Sequence, residues 1–134
     1  NALVAIRMGS HTVNAGRVYF AAGSFEPIDF RDGLVDVDFN MIREVREETG
    51  LDLSIAERGQ RYHALSTNSG TVIFRRYHEP APADEIARRI SAFVAAETDP
   101  EIAGPVIIRH AADLPDGLSA HMKPLIEWHF AGKG

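Results

Sequence analysis

The sequence predicts an α+β chain, or an α/β one with a mixed sheet held between helices. Three observations carry this. Short apolar or alternating segments rich in β-branched residues recur along the chain. Two segments, one ending at Gly50 and one spanning Asp84 to Glu97, repeat their apolar residues at helical spacing, and a third helical segment closes the chain. The order of these segments is irregular and includes a hairpin, which departs from a regular βαβ repeat.

Taken in order, Ala2 to Met8 reads as a buried strand, being short, apolar and partly β-branched. Gly9 to Gly16 is a loop, and Arg17 to Phe20 a second strand running into a turn at Gly23. Pro27 to Asp36 is polar, with Pro27, Asp29, Asp32 and Gly33, and is expected to be a loop that feeds the next helix. That helix is expected to start at Asp38 as N-cap and to stop at Gly50, which takes the left-handed C′ position at little cost. Met41, Ile42 and Val45 give it an apolar stripe to pack on a sheet.

Leu51 to Ile55 alternates as a short strand does. Arg61 to Leu65 and Thr71 to Tyr77 flank the Asn68-Ser69-Gly70 turn and are expected to pair as a hairpin. Pro80 and Pro82 break the chain before a helix from Asp84 to Glu97, with Ile86, Ile90, Phe93 and Val94 on one face. Pro105 to Arg109 is the last strand, and Leu118 to Phe130 a closing helix with Pro124 in its first turns or kinking it.

With 134 residues, the chain is long enough for one domain with a real core. It opens on Asn1, so a native segment ahead of it is expected. No apolar run reaches the length of a membrane-spanning helix, and no membrane partner is expected. The absence of cysteine excludes disulfides, thiolate metal sites and cysteine nucleophiles, and fits a cytoplasmic setting. A net charge of −5 argues against binding to a nucleic-acid backbone, which calls for a basic stripe. A small phosphorylated substrate remains compatible, because a bound cation supplies positive charge locally.

The chemistry concentrates at Arg43-Glu44-Val45-Arg46-Glu47-Glu48-Thr49-Gly50-Leu51. Glu44, Glu47 and Glu48 stand at i, i+3 and i+4, so a helix stacks all three on one face. Such like-charge pairs each cost a few tenths of a kcal/mol, about what a surface ion pair gains. A solvated, glutamate-rich helix end is one reading of this cluster. A site for a hard divalent cation is the other, since magnesium takes oxygen ligands and lets substrate phosphates complete its shell. The six histidines form no i,i+4 pair and no H-E-x-x-H, and the chain holds no P-loop, dinucleotide fingerprint or G-x-S-x-G elbow.

This string resembles the second half of the signature of the Nudix hydrolase superfamily, G-x5-E-x7-R-E-U-x-E-E-x-G-U, where U is a bulky aliphatic residue. Arg43 to Leu51 match without a gap. The first half departs: the signature's glutamate falls on Val35 and its glycine on Asp29. Gly23, in Phe20-Ala21-Ala22-Gly23-Ser24-Phe25-Glu26, resembles the glycine turn with six extra residues after it, and Asp36 or Asp38 is the stand-in for the displaced glutamate.

The resemblance implies a Nudix-type α/β/α sandwich and Mg²⁺-dependent hydrolysis of a diphosphate linkage, with Mn²⁺ as an alternative ion. It implies Glu47 and Glu48 as metal ligands, Glu44 as ligand or proton acceptor, and Arg43 as the residue that orients a glutamate. Gly23 and Glu26 would lie in the substrate loop. Many members of the family recruit a further carboxylate from a later loop. The candidates are Glu97, Asp99 and Glu101, with Glu101 preferred because it stands just before the last strand, and plain solvation of a helix end is the first reading of it. The substrate would be small and nucleotide-derived, and a homodimer is the common state of the family. A Nudix-fold module that binds nucleotide without cleaving it is the alternative, and a diphosphate isomerase ranks third. Phe25, Phe30 and Tyr62 are expected in the core, with stacking on a base as the alternative, and the helix from Asp84 to Glu97 as core cover.

Overall fold

Residue alternation in the first strand builds the molecule. The computed structural model, which describes residues 1–132, places β1 at Leu3–Met8. It is the centre of a three-stranded antiparallel sheet, between β2 (Val18–Tyr19) and the late strand Ile102–Ile108. Successive side chains of a strand point to opposite faces. Ala5 therefore joins one buried cluster with Val18, Ile108, Met122 and Ile126, while Ile6 joins a second with Ile86, Ile90 and Ile102. Both faces of β1 are covered, which is why it reads as a continuous apolar run rather than as an amphipathic strand.

Between β2 and the first helix lies a short 3₁₀ turn, Pro27–Asp29, and a tight hairpin of β3 (Phe30–Arg31) and β4 (Leu34–Val35). The stretch from Pro27 to Asp36 is thus structured, not a plain loop. Asp32 and Gly33 both have positive φ, 53° and 80°, the two-residue turn that matches strand twist.

Helix α1 runs Val37–Thr49. Its N-cap is Asp36, whose side chain accepts from the Phe39 N–H at 3.0 Å, two positions before the expected Asp38. Asp38 is used differently. It takes two hydrogen bonds from Arg75 Nη1 (2.9 and 3.1 Å) and one from the Tyr77 hydroxyl (2.6 Å), and Tyr62 also donates to it. It ties the first turn of α1 to the following strands. Gly50 ends the helix as expected, at φ 78°.

Leu51 to Ile55 does not form a strand. Asp52 caps a 3₁₀ turn at Leu53–Ile55 by accepting from the Ser54 N–H and hydroxyl, and this local bonding competes with strand pairing. Two small antiparallel ribbons follow, β5 (Glu57–Arg58) with β8 (Tyr77–His78), and β6 (His63–Thr67) with β7 (Gly70–Phe74). The expected return strand is therefore divided: its end, Tyr77, pairs with a different ribbon.

Helix α2 spans Ala83–Ala96, preceded by Pro82 rather than capped by Asp84, which lies in its first turn. Ile86 and Ile90 are its buried anchors, each worth roughly 1.5–3 kcal/mol of burial. Strand β9 (Ile102–Ile108) starts earlier than expected and carries Pro105 opposite Ile6, tolerated because β9 is at the sheet edge. Helix α3 is Met122–Phe130, shorter than expected, with Pro124 in its first turn. Leu118 instead forms an isolated parallel bridge with Val18.

The architecture is α+β. Met122 and Ile126 of α3 pack on one face of the β1 sheet, and Ile86 and Ile90 of α2 on the other. Among the described residues the expected mixed sheet is not formed: every strand pairing is antiparallel apart from the Val18–Leu118 bridge. Each return between named strands is a hairpin or an antiparallel crossover, so among the described residues that single bridge is the one parallel contact. Among the described residues, no helix is long and apolar enough to cross a membrane.

Candidate functional site

The three glutamates of α1 meet the acidic bend between α2 and β9. Glu44, Glu47 and Glu48 line a cavity of about 200 Å³ together with Phe93, Glu97, Asp99, Pro100 and Glu101. The helical spacing placed the first three on one face. The fold brings the other three from about fifty residues later, because α2 packs beside α1 and its C-terminus lies over the same opening. Glu97, Asp99 and Glu101 therefore all reach the cavity. His11, from the loop after β1, touches its rim: its Nε2 is 3.4 Å from Asp99 Oδ1.

The three α1 glutamates are not equivalent. Glu48 is buried and accepts from the Tyr19 hydroxyl at 3.2 Å and the Ala22 N–H at 3.1 Å. Burial raises its pKa to about 7, despite these two hydrogen bonds, and the charges of Glu101 and Glu44 push the same way. Glu44 is also raised, by burial and then by Glu47 and Glu26, against the pull of Arg43. Glu47 is exposed and is 3.5 Å from Arg43 Nη1.

Arg43 is the organising cation. Its guanidinium grips Asp29 at 2.9 and 3.1 Å, and its Nη1 lies 3.1 Å from both Glu26 and Glu44. Asp29 is fully buried and also accepts from Asn40 Nδ2 (3.0 Å) and the Glu26 N–H (2.8 Å). Burial alone would raise the Asp29 carboxyl, but these donors outweigh it and hold the group below the ordinary range. The carboxylate facing Arg43 is thus Asp29, from the 3₁₀ turn. Asp36 and Asp38, the expected stand-ins, cap α1 and bind Arg75, and neither bonds to Arg43.

Gly23 faces Glu44. A Cβ there would lie 2.1 Å from Glu44 Cδ, so only glycine leaves that carboxylate its place. Glu26, in the same loop, reaches Arg43 rather than the cavity. Phe25, Phe30 and Tyr62, expected in the core, are 44%, 49% and 46% exposed, so stacking surfaces are available near the loop. Arg75 and Arg76, which lie between β7 and β8 rather than on a strand, take different partners, and neither lines the carboxylate cavity.

Sequence reasoning missed Tyr19 and Ala22 as partners of Glu48, and Asp29 as the partner of Arg43. Glu26-x-x-Asp29 after a turn, with Pro27 between, carried the signal for the 3₁₀ cap that presents Asp29.

As oxygen donors, these carboxylates suit a hard divalent cation. Among the described residues, however, no three Asp, Glu or His side chains are already grouped as a metal-holding set. Glu44, Glu47 and Glu48 are each turned toward Arg43, Tyr19 or Ala22, so gathering them on one ion takes side-chain rotation. The chain has no match among protein-family models, curated proteins or solved structures.

Proposed function

We propose that this protein is a magnesium-dependent hydrolase of a diphosphate linkage in a nucleotide-derived substrate, on a Nudix-type α/β/α fold. One observation carries the reading: the α1 trio Glu44, Glu47 and Glu48 opens onto the same cavity as Glu97, Asp99 and Glu101. Six acidic residues around about 200 Å³ repel one another, and a divalent cation relieves that repulsion. The layering of α2 and α3 on opposite faces of the β1 sheet supports the fold assignment.

When bound, magnesium would neutralise the diphosphate oxygens and acidify a water. The residues of the chain do the rest. Glu47 and Glu48, with Glu101 as a further donor, would hold the ion. Glu44, kept in place by the bare backbone of Gly23 and by Arg43, would hold the ion or accept the proton of the attacking water. Arg43 fixes the direction of Glu44 while Asp29 fixes Arg43. Manganese, with similar oxygen preferences, would substitute.

The test is phosphate release from a panel of nucleoside diphosphate derivatives, with and without Mg²⁺, with a coupled phosphatase that frees phosphate from the monoesters left by cleavage. Release should require the metal, and Glu47→Gln or Glu48→Gln should abolish it while the fold persists. Undiminished turnover in Glu44→Gln, Glu47→Gln and Glu48→Gln alike would overturn the reading. The inward engagement of the three glutamates favours a second one, a module that binds nucleotide without cleaving it. Metal-dependent binding with no release across the panel would select it.

A further inference from the structure

A second cavity, of about 350 Å³, is lined by Gly59, Gln60, Arg61, His63 and Arg76. Its size is that of a small-ligand pocket. Its charge is the opposite of the carboxylate cavity. The chain carries 19 acidic and 14 basic residues, so carboxylates are in surplus. Arg43, Arg46, Arg58, Arg75, Arg89 and Arg109 all have one within ion-pair distance. Among the described residues Arg7, Arg17, Arg31, Arg61, Arg76 and Arg88 have none, and of these Arg61 and Arg76 line one opening together. Two guanidiniums line one opening beside an imidazole, with no carboxylate among the lining residues.

The opening is also held in shape. The Gly59 N–H donates to the Arg76 carbonyl at 2.8 Å, and Arg75 Nε donates to the Gly59 carbonyl at 2.6 Å. Arg76 lies over the Trp128 ring, 4.5 Å from its centre, and His63 packs against both Trp128 and Phe74. Stacking on an aromatic face leaves the N–H edge of a guanidinium free to donate, and two-pronged donation to oxyanions is what that edge does best.

We propose that this cavity binds a phosphate or diphosphate group of a small molecule, with Arg61 and Arg76 as the principal donors and His63 as a third. The site is separate from the carboxylate cavity and needs no metal, so it stands whether or not the proposed hydrolysis is found.

The experiment is titration of the whole chain with inorganic pyrophosphate in the presence of a chelator, read by calorimetry and by phosphorus resonance shifts. Binding is expected, and Arg61→Gln and Arg76→Gln should each weaken it about tenfold, the worth of one lost charge-assisted pair. Arg61 is exposed, so its variant should fold normally even if Arg76→Gln disturbs the stack on Trp128. Glu47→Gln should leave the affinity unchanged. No binding up to millimolar pyrophosphate, or binding that neither arginine variant weakens, would overturn the proposal. For a cleaved substrate, a raised KM with constant kcat in Arg61→Gln would mark the anion as part of the substrate. An unchanged KM with lost pyrophosphate binding would mark it as a separate phosphate ligand.

Discussion

Asp29 and Arg43, fourteen residues apart, form a two-pronged ion pair whose carboxylate is wholly buried. The pair joins the 3₁₀ turn to α1, and through Arg43 it reaches Glu26, Glu44 and Glu47. Asp29 is thus a positioning residue for the cavity. Asp29→Asn should keep the shape of the side chain but lose the charge that holds Arg43. If the proposed hydrolysis holds, the expected result is a fall of about 10–100-fold in metal-dependent turnover, the usual effect of losing a supporting partner behind a ligand. Asp36→Asn, which keeps a capping oxygen, should leave turnover near wild type. Parallel kinetics of the two variants check this, and equal losses would refute the assignment.

Gly23 gives a prediction in which stability and activity part company. The nearest atoms that the Cβ of Gly23→Ala would meet are the end of the Glu44 side chain, which can swing aside. The melting temperature should therefore change little. Turnover should fall at least tenfold, because Glu44 is displaced from its place beside Arg43. Differential scanning calorimetry and kinetics on one preparation test both halves.

How far the site could be read from the chain follows from the range of each interaction. Glu44, Glu47 and Glu48 share a face by helical geometry alone, so local sequence was enough. Gly50 as helix stop was legible for the same reason. Glu101 was reachable as a candidate only because it precedes a strand. Glu26-x-x-Asp29 signalled the 3₁₀ cap, but the pairing of Asp29 with Arg43 and of Tyr19 with Glu48 was not reachable, since both depend on how the loop between β2 and α1 folds back. The Asp32-Gly33 turn was a hairpin signal flanked by strands of only two residues each, too short for periodicity to register. Leu51 to Ile55 failed for a different reason: its alternation is real, but Asp52 binds the Ser54 N–H first.

Asp36 and Asp38 stand two residues apart and should differ in what they stabilise. Asp36 contributes one capping bond, and Asp36→Ala should cost about 1 kcal/mol. Asp38 is the shared acceptor for Arg75, Tyr62 and Tyr77, and it pairs with Arg58 as well. Burial would raise its carboxyl, but the two tyrosine hydroxyls and the arginines hold it below the usual range. Asp38→Ala leaves the mostly buried Arg75 without its counter-charge, at a cost of about 3 kcal/mol. Urea unfolding midpoints of the two variants should therefore be clearly separated, with Asp38→Ala the lower.

Glu48 makes the protein without metal less stable as pH rises. Its pKa is near 4.5 in the unfolded chain and about 7 in the fold, chiefly through burial. A carboxyl raised on folding binds its proton more tightly in the native state, so its contribution is complete below pH 4.5 and is lost as pH climbs through 7. The loss should be on the order of 2 kcal/mol, somewhat less than the full shift because the side chain can rotate toward solvent. Urea midpoints measured in chelator should fall across this interval, and Glu48→Gln should flatten this part of the profile. Magnesium should reverse the trend. An ion that takes Glu48 as ligand must displace its proton, so apparent affinity should rise by up to about tenfold per pH unit below pH 7 and level off above it. An affinity for magnesium that does not vary with pH in this interval would remove Glu48 from the ligand set, and with it the account of why a carboxyl should be buried beside Tyr19 at the edge of an acidic cavity.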